Sequence, residues 1–188
     1  LLVHGQHWHA FEEHDRLVFQ DESGLLDLPL PNLPGPHQID NAGAALAALR
    51  HLGADGAACE AAATQAYWPA RMQRLRHGPL VEAAGASELW LDGGHNPAGG
   101  EAVAATLARM PRKPTHLILG MLNTKDIAGY LRPVAAEAAS LTAVSIPGEA
   151  NTLSAADTQA AAARTGIKAE TADSVLDAYK HAYVTDPT

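Results

Sequence analysis

Residues Glu88–Gly100 read ELWLDGGHNPAGG, and the fold class follows from this stretch. A short apolar run ends in an acid, Asp92. Two glycines follow, then His95 and Asn96, and a helical pattern, EAVAATLARM, begins directly afterwards. Strand, glycine turn and helix in that order describe the carboxyl edge of an open α/β sheet, where such sheets place ligands. Glycines at 93 and 94 let a backbone approach a ligand closely. The unpaired N–H groups of the new helix face the same crevice.

Toward the C-terminus the alternation continues. THLILGML is followed by the helical DIAGYLRPVAAEA, SLTAVSIPG by SAADTQAAAARTG, and KAETAD by SVLDAYKHAYV. Apolar runs alternating with helical ones predict a doubly wound, mostly parallel sheet, Rossmann-like, with helices on both faces. From about Arg71 to the end this makes one domain of ordinary size. Just before the deciding stretch, RMQRL and the segment around GPLVEAA read as two short strands, with ELWLD a third and more buried one. Between Arg71 and Asp92, HGPLVEAAGAS has the look of a hairpin insertion.

Toward the N-terminus the rhythm differs. LLVHG, RLVFQ and LLDLPL, punctuated by Gly5, Gly24, Pro29 and Pro31, predict a small antiparallel meander. LPNLPGPHQ forbids regular structure. Ile39–His51 then predicts an alanine-rich helix, and GAACEAAATQAYW a second one ending before Pro69. Residues 1 to about 68 look too few and too irregular for a complete domain. With no initiator Met and no signal pattern, the start reads as a chain entered in mid-protein.

The 47% hydrophobic content supplies a real core and excludes the disordered class. A net charge of -8 argues against a nucleic-acid footprint, which needs clustered Lys and Arg. One cysteine, Cys59, excludes an internal disulfide and a multi-cysteine metal site, and fits a reducing, cytoplasmic compartment. No apolar run approaches the roughly 20 residues that a bilayer span requires. His4, His7, His9 and His14 lack a ligand spacing and read as surface residues rather than a metal site.

Three places carry chemistry. Asp92 and His95 suit a ribose hydroxyl pair and a phosphate; the plainer alternative is that Asp92 and Asn96 cap a helix. The stretch lacks the G-x-G-x-x-G dinucleotide pattern. In LPNLPGPHQIDNAGAAL, His37 and Asn41 lie four apart around a helix start, and an Asn carboxamide can pair with adenine through one donor and one acceptor. A helix cap beside a solvated His is the alternative there. In YWPARMQRL, Arg71 follows a proline at the domain junction, where a guanidinium could grip a phosphate bidentately. Arg71, Arg74 and Arg76 could equally be exposed strand residues.

Taken together, LPGPHQIDNAGAALAAL, YWPARMQRL, LDGGHNPAG and ILGMLNTKD resemble, in order and approximate spacing, the folylpolyglutamate/dihydrofolate synthases of the Mur ligase family. The resemblance runs from about residue 25 to residue 130. It implies residues 1–68 as the end of a central ATP-binding domain and residues 69–188 as a Mur-type C-terminal domain. It implies a monomeric ATP-dependent ligase that adds L-glutamate to dihydropteroate or folate through an acyl phosphate. Asn41 would contact adenine, Arg71 the phosphates, Asp92 the ribose and His95 the phosphate region. No catalytic residue and no metal ligand is carried over.

The 188 residues contain no G-x-x-x-x-G-K-[ST] run. The resemblance therefore puts the phosphate loop and the Mg²⁺ ligands outside them, and implies no ATP turnover by this polypeptide alone. Lys125 and Asp126 fit packing or capping better than catalysis. The end at YVTDPT precedes a final strand that the family pattern would supply. The competing readings are a non-catalytic nucleotide-binding module and a cell-wall amino-acid ligase of the same family, against which YWPARMQRL speaks.

Overall fold

The computed structural model describes the backbone of residues 1–185 and the side chains of residues 1–180. The final residues of YVTDPT, to which the expectation of a missing strand is attached, lie outside the described residues. The chain divides into two compact units, Leu1–Gln73 and Arg74–Thr188.

In the first unit, β1 (Trp8–Glu13), β2 (Arg16–Asp21) and β3 (Gly24–Pro29) form an antiparallel meander. Glu13 pairs with Arg16 across a two-residue loop, and His14 and Asp15 both adopt positive φ, at 50° and 59°. Two such residues give the turn whose twist matches that of the flanking strands. Trp8 and Ala10 point inward while His9 and Phe11 point out, as strand alternation requires. LLVHG, which the pattern predicts as a strand, makes only an isolated bridge from His4 to Trp8. Gly5, at φ 80°, turns the chain before a ladder can grow.

Helices α1 (His37–His51) and α2 (Gly56–Thr64) cover the meander. Trp8, Leu17, Phe19, Leu28, Ile39, Leu46 and Cys59 make up most of their shared core. Gly43 sits in α1 because a Cβ there would lie 2.5 Å from Ala10 Cβ and 2.6 Å from the Trp8 ring. α2 starts on Asp55, whose carboxylate accepts the Ala58 N–H at 2.8 Å. It stops at Thr64 rather than running on to Trp68, and Tyr67 and Trp68 are exposed. QAYW lies just ahead of Pro69, which biases its predecessor away from helix.

β4 (Gln73–Leu75), which starts at the last residue of the first unit, and β5 (Leu89–Leu91) form a two-stranded sheet. In the second unit, β6 (His116–Leu119), β7 (Ser140–Ala143) and β8 (Ala169–Thr171) form a parallel sheet in that order. Helices α4 (Pro97–Arg109), α5 (Ile127–Val134), α6 (Ala155–Arg164) and α7 (Val175–Thr185) alternate with the strands, giving the expected α/β architecture. α6 packs on β7 and β8 and against α5; α7 packs on β6 and β7. Met121, Tyr130, Leu131, Leu141, Ala143, Ala161, Ala162 and Ile167 form this unit's core.

Three sequence expectations fail here. GPLVEAA is not a strand, and HGPLVEAAGAS is not a hairpin. The segment forms helix α3 (Pro79–Ala84), entered through Gly78 at φ 110° with Pro79 in the first turn, where proline's missing N–H costs nothing. ELWLD is also less buried than its composition suggests: Leu89 and Trp90 are half-buried and Leu91 is 45% exposed. Its strand pairs with β4 in the small sheet rather than lying within the three-stranded one.

Candidate functional site

The turn after β5 is built by its own side chains. Asp92 is half-buried, and its Oδ1 accepts the Gly94 N–H at 2.7 Å. His95 is exposed, with Nδ1 2.9 Å from the Gly93 carbonyl oxygen. Asn96 is the N-cap of α4, accepting the Gly99 N–H at 2.8 Å, and Pro97 opens the first turn. The capping expectation thus holds for Asn96, at a typical value of about 1 kcal/mol. Asp92 instead closes a local turn that precedes the helix.

Three glycines press α4 against this turn and against α5. A Cβ on Gly94 would lie 2.9 Å from Asp92 Oδ1 and 3.0 Å from Tyr130 Cε2. A Cβ on Gly99 would lie 3.2 Å from Gly94 Cα, and one on Gly100 would collide with the Tyr130 carbonyl oxygen. Tyr130, in α5, is 7% exposed; burial and the nearby Asp92 charge push its phenol up to about 12. Beside it Asp126 caps α5 by accepting the Gly129 N–H at 2.8 Å, a capping role in keeping with its sequence. The loop after β6 is tied down as well: Asn123 N donates to the Asn151 carbonyl at 2.8 Å, and Leu153 N to that of Met121 at 2.8 Å.

Asn41 and Arg71 belong to the first unit. Asn41 lies on the exposed side of the second turn of α1, so it caps nothing. Its Nδ2 donates to Gln38 Oε1 at 3.0 Å, while the Gln38 amide nitrogen lies 3.0 Å from His37 Nε2. Gln38, 5% exposed, therefore links the two residues singled out in the sequence. A buried amide carries no periodic signal, which is why the sequence does not reveal it.

Arg71 is exposed, and its Nη1 donates to the Ala70 carbonyl at 3.1 Å. Ala70 and Met72 on either side take φ values of 56° and 42°. Left-handed backbone costs roughly 1–2 kcal/mol at each non-glycine residue. Gln73 offsets part of this strain: its Oε1 accepts the Ala70 N–H at 3.0 Å and its Nε2 donates to Tyr67 Oη at 3.2 Å. Arg74 is differently employed, paired with Glu88 at 3.3 Å and lying 6.0 Å from the Trp90 ring centre. Lys113 also binds Glu88, and this hydrogen bond, with Arg74 assisting, holds the carboxyl below its ordinary value. Of these two arginines, Arg71 is the one without a carboxylate partner among the described residues.

Asp92 and His95 thus share one turn in the second unit, while Asn41 and Arg71 are displayed on the first. Among the described residues no group of three or more His, Cys, Asp or Glu converges as a metal ion would require. No helix of the described residues is long and apolar enough to cross a membrane.

The glycine-packed turn ahead of α4 and the parallel β6-β7-β8 sheet belong to one α/β domain. Residues 70–186 match the Mur ligase glutamate ligase domain, and the chain belongs to the Mur ligase family. The dihydrofolate synthase/folylpolyglutamate synthase of Mycobacterium tuberculosis is 36% identical over 113 residues, covering 56% of this chain and 21% of that protein. Among solved structures, E. coli FolC in complex with DHPP and ADP superposes with a TM-score of 0.79 at 27% identity, over 97% of this chain and 41% of FolC. The bifunctional folylpolyglutamate synthase/dihydrofolate synthase of Yersinia pestis, complexed with AMPPNP and a Mn ion, gives a TM-score of 0.77 at 25% identity, over 97% of this chain and 41% of its own. The chain therefore spans well under half the length of these relatives.

Proposed function

We propose that this chain supplies the nucleoside-end contacts of an ATP-dependent acid–amino-acid ligase that adds L-glutamate to dihydropteroate or a folate. The observation that carries this reading is the turn from Asp92 to Asn96. It holds a carboxylate and an imidazole ahead of a helix N-terminus, in a chain whose relatives are named dihydrofolate synthase/folylpolyglutamate synthase. Asp92 takes the ribose hydroxyls, because a carboxylate accepts from both. His95 and the α4 N-terminus favour the phosphate region. Asn41, exposed on α1 and hydrogen-bonded to Gln38, pairs with the adenine edge. Arg71, held by strained backbone and without a carboxylate of its own among the described residues, grips phosphate oxygens.

ATP activates the substrate carboxylate as an acyl phosphate, and the glutamate amine displaces the phosphate to form the amide. Within this scheme the chain's own residues bind and orient the nucleotide, and no catalytic role is assigned to any of them. Mg²⁺ would neutralise charge on the transferring phosphoryl group. The carboxylates described here do not converge to hold it, so no step is assigned to a metal on these residues. We further propose that the protein works as a monomer in the cytoplasm.

The test is a chimera in which this chain replaces the equivalent part of E. coli FolC, assayed for phosphate release. Release that needs both L-glutamate and dihydropteroate or folate is expected. A folded chimera that binds ADP yet releases no phosphate would favour the binding-module reading, and release with cell-wall precursors alone would move the assignment to that branch. The 188-residue chain by itself should release no phosphate from ATP, since positioning and charge neutralisation at the phosphates supply nearly all of the catalysis.

A further inference from the structure

Tyr130 has a place in the site that its position in the sequence does not suggest. It lies in α5, more than thirty residues beyond Asp92, in a segment where the apolar pattern alone predicts a core residue. Core it is, packed with Met121, Leu131 and Leu141. Its ring also reaches the turn: Cε2 lies 3.0 Å from where a Cβ on Gly94 would sit, and that same point is 2.9 Å from Asp92 Oδ1. Ring, turn and carboxylate therefore meet within one side chain's width. The Tyr130 backbone contributes too, since its carbonyl oxygen fills the space that any side chain on Gly100 would need.

We propose that Tyr130 is a positioning residue for the nucleoside end of the nucleotide, its ring being the wall that holds the Gly93–Gly94 turn and thereby aims the Asp92 carboxylate. This rests on the reading that Asp92 takes the ribose hydroxyls. Local hydrogen bonds from the Gly94 N–H to Asp92 Oδ1 and between His95 Nδ1 and the Gly93 carbonyl shape the turn, but both residues after Asp92 are glycines. A turn of two glycines is free to take many conformations, so a rigid neighbour has most to add here. The nearby Asp92 charge also contributes, after burial, to the upward displacement of the phenol. The role belongs to the ring rather than the hydroxyl, because the ring edge makes the approach to Gly94.

The experiment measures how the chain discriminates ADP from 2′,3′-dideoxy-ADP, by titration followed through amide NMR shifts. Hydrogen bonds from ribose hydroxyls to a carboxylate should favour ADP by about tenfold in the wild-type chain. Tyr130→Leu is expected to erase most of that preference, and Tyr130→Phe to keep it. Asp92→Asn should erase it also, and Tyr130→Leu should then add nothing further.

If Asp92→Asn leaves the preference intact, or the wild-type chain binds neither nucleotide, the ribose reading itself is wrong. If Asp92→Asn erases the preference but Tyr130→Leu does not, only the role of Tyr130 falls. Should Tyr130→Leu fail to fold, Gly94→Ala replaces it. The added methyl would displace the ring or the carboxylate, and an undiminished preference in that variant would overturn the proposal.

Discussion

Asp92 Oδ1 accepts the backbone N–H of Gly94 at 2.7 Å, so the acid at the end of β5 shapes the very turn that it projects from. An asparagine can make the same bond through its own Oδ1 without the charge. Asp92→Asn should therefore change unfolding free energy by less than about 1 kcal/mol, near the range of surface substitutions, while weakening ADP binding about tenfold. Thermal unfolding and an ADP titration on the same sample check this. A loss of stability without a loss of affinity would make Asp92 a purely structural residue.

Arg71→Ala separates binding from folding in the other unit. The guanidinium is exposed and bonds its neighbour's carbonyl, so its removal should cost under about 0.5 kcal/mol of stability. A hydrogen bond from a charged donor to a phosphate is worth roughly 1.5–3 kcal/mol, and without it ATP affinity should fall about 10- to 100-fold. Parallel drops in melting temperature and affinity would mean that Arg71 holds the loop instead.

Much of this was legible in the chain itself. The meander, α1, and the strand–turn–helix around Asp92 follow from alternation, alanine-rich periodicity and two adjacent glycines. The segment after Arg74 was not. GPLVEAA carries apolar residues that suit either a short strand or a single helical turn, and only the proline after Gly78 tips the balance. Of the proposed contacts, Asn41, Arg71, Asp92 and His95 are named through the family resemblance, since their residue types alone leave helix caps and exposed strand residues as alternatives. Gln38 bonded to Asn41, Gln73 bonded to the Ala70 N–H and Tyr130 against Gly94 could not be named. Buried amides and a long-range aromatic contact leave no mark on local pattern.

Tyr130 gives the fold a pH limit. Its phenol titrates near 12 in the folded chain against an ordinary 10, burial being the larger cause and the Asp92 charge the smaller. The raised value means that stability is full below pH 10, and falls as pH rises from about 10 to about 12, because the unfolded chain loses the proton first. The loss is on the order of 3 kcal/mol, two pH units at about 1.4 kcal/mol each. Tyr130→Phe should flatten this part of a urea-denaturation pH profile; an unchanged profile would show that other groups control it.

Gly43 tests the packing of α1 on β1. Alanine is the better helix former by roughly 1 kcal/mol, yet its methyl would sit 2.5 Å from Ala10 Cβ and 2.6 Å from the Trp8 ring. Overpacking of this kind costs about 1–3 kcal/mol. Gly43→Ala should therefore lower the urea midpoint. A higher midpoint would mean that helix and strand have room to separate.

The most direct test of nucleotide binding at the turn after β5 is an amide-resolved NMR titration of the 188-residue chain with ADP. Saturable shifts concentrated at residues 92–96 are expected, with further shifts around Asn41 and Arg71. Shifts that spare the turn after β5, or none at all at millimolar ADP, would contradict it.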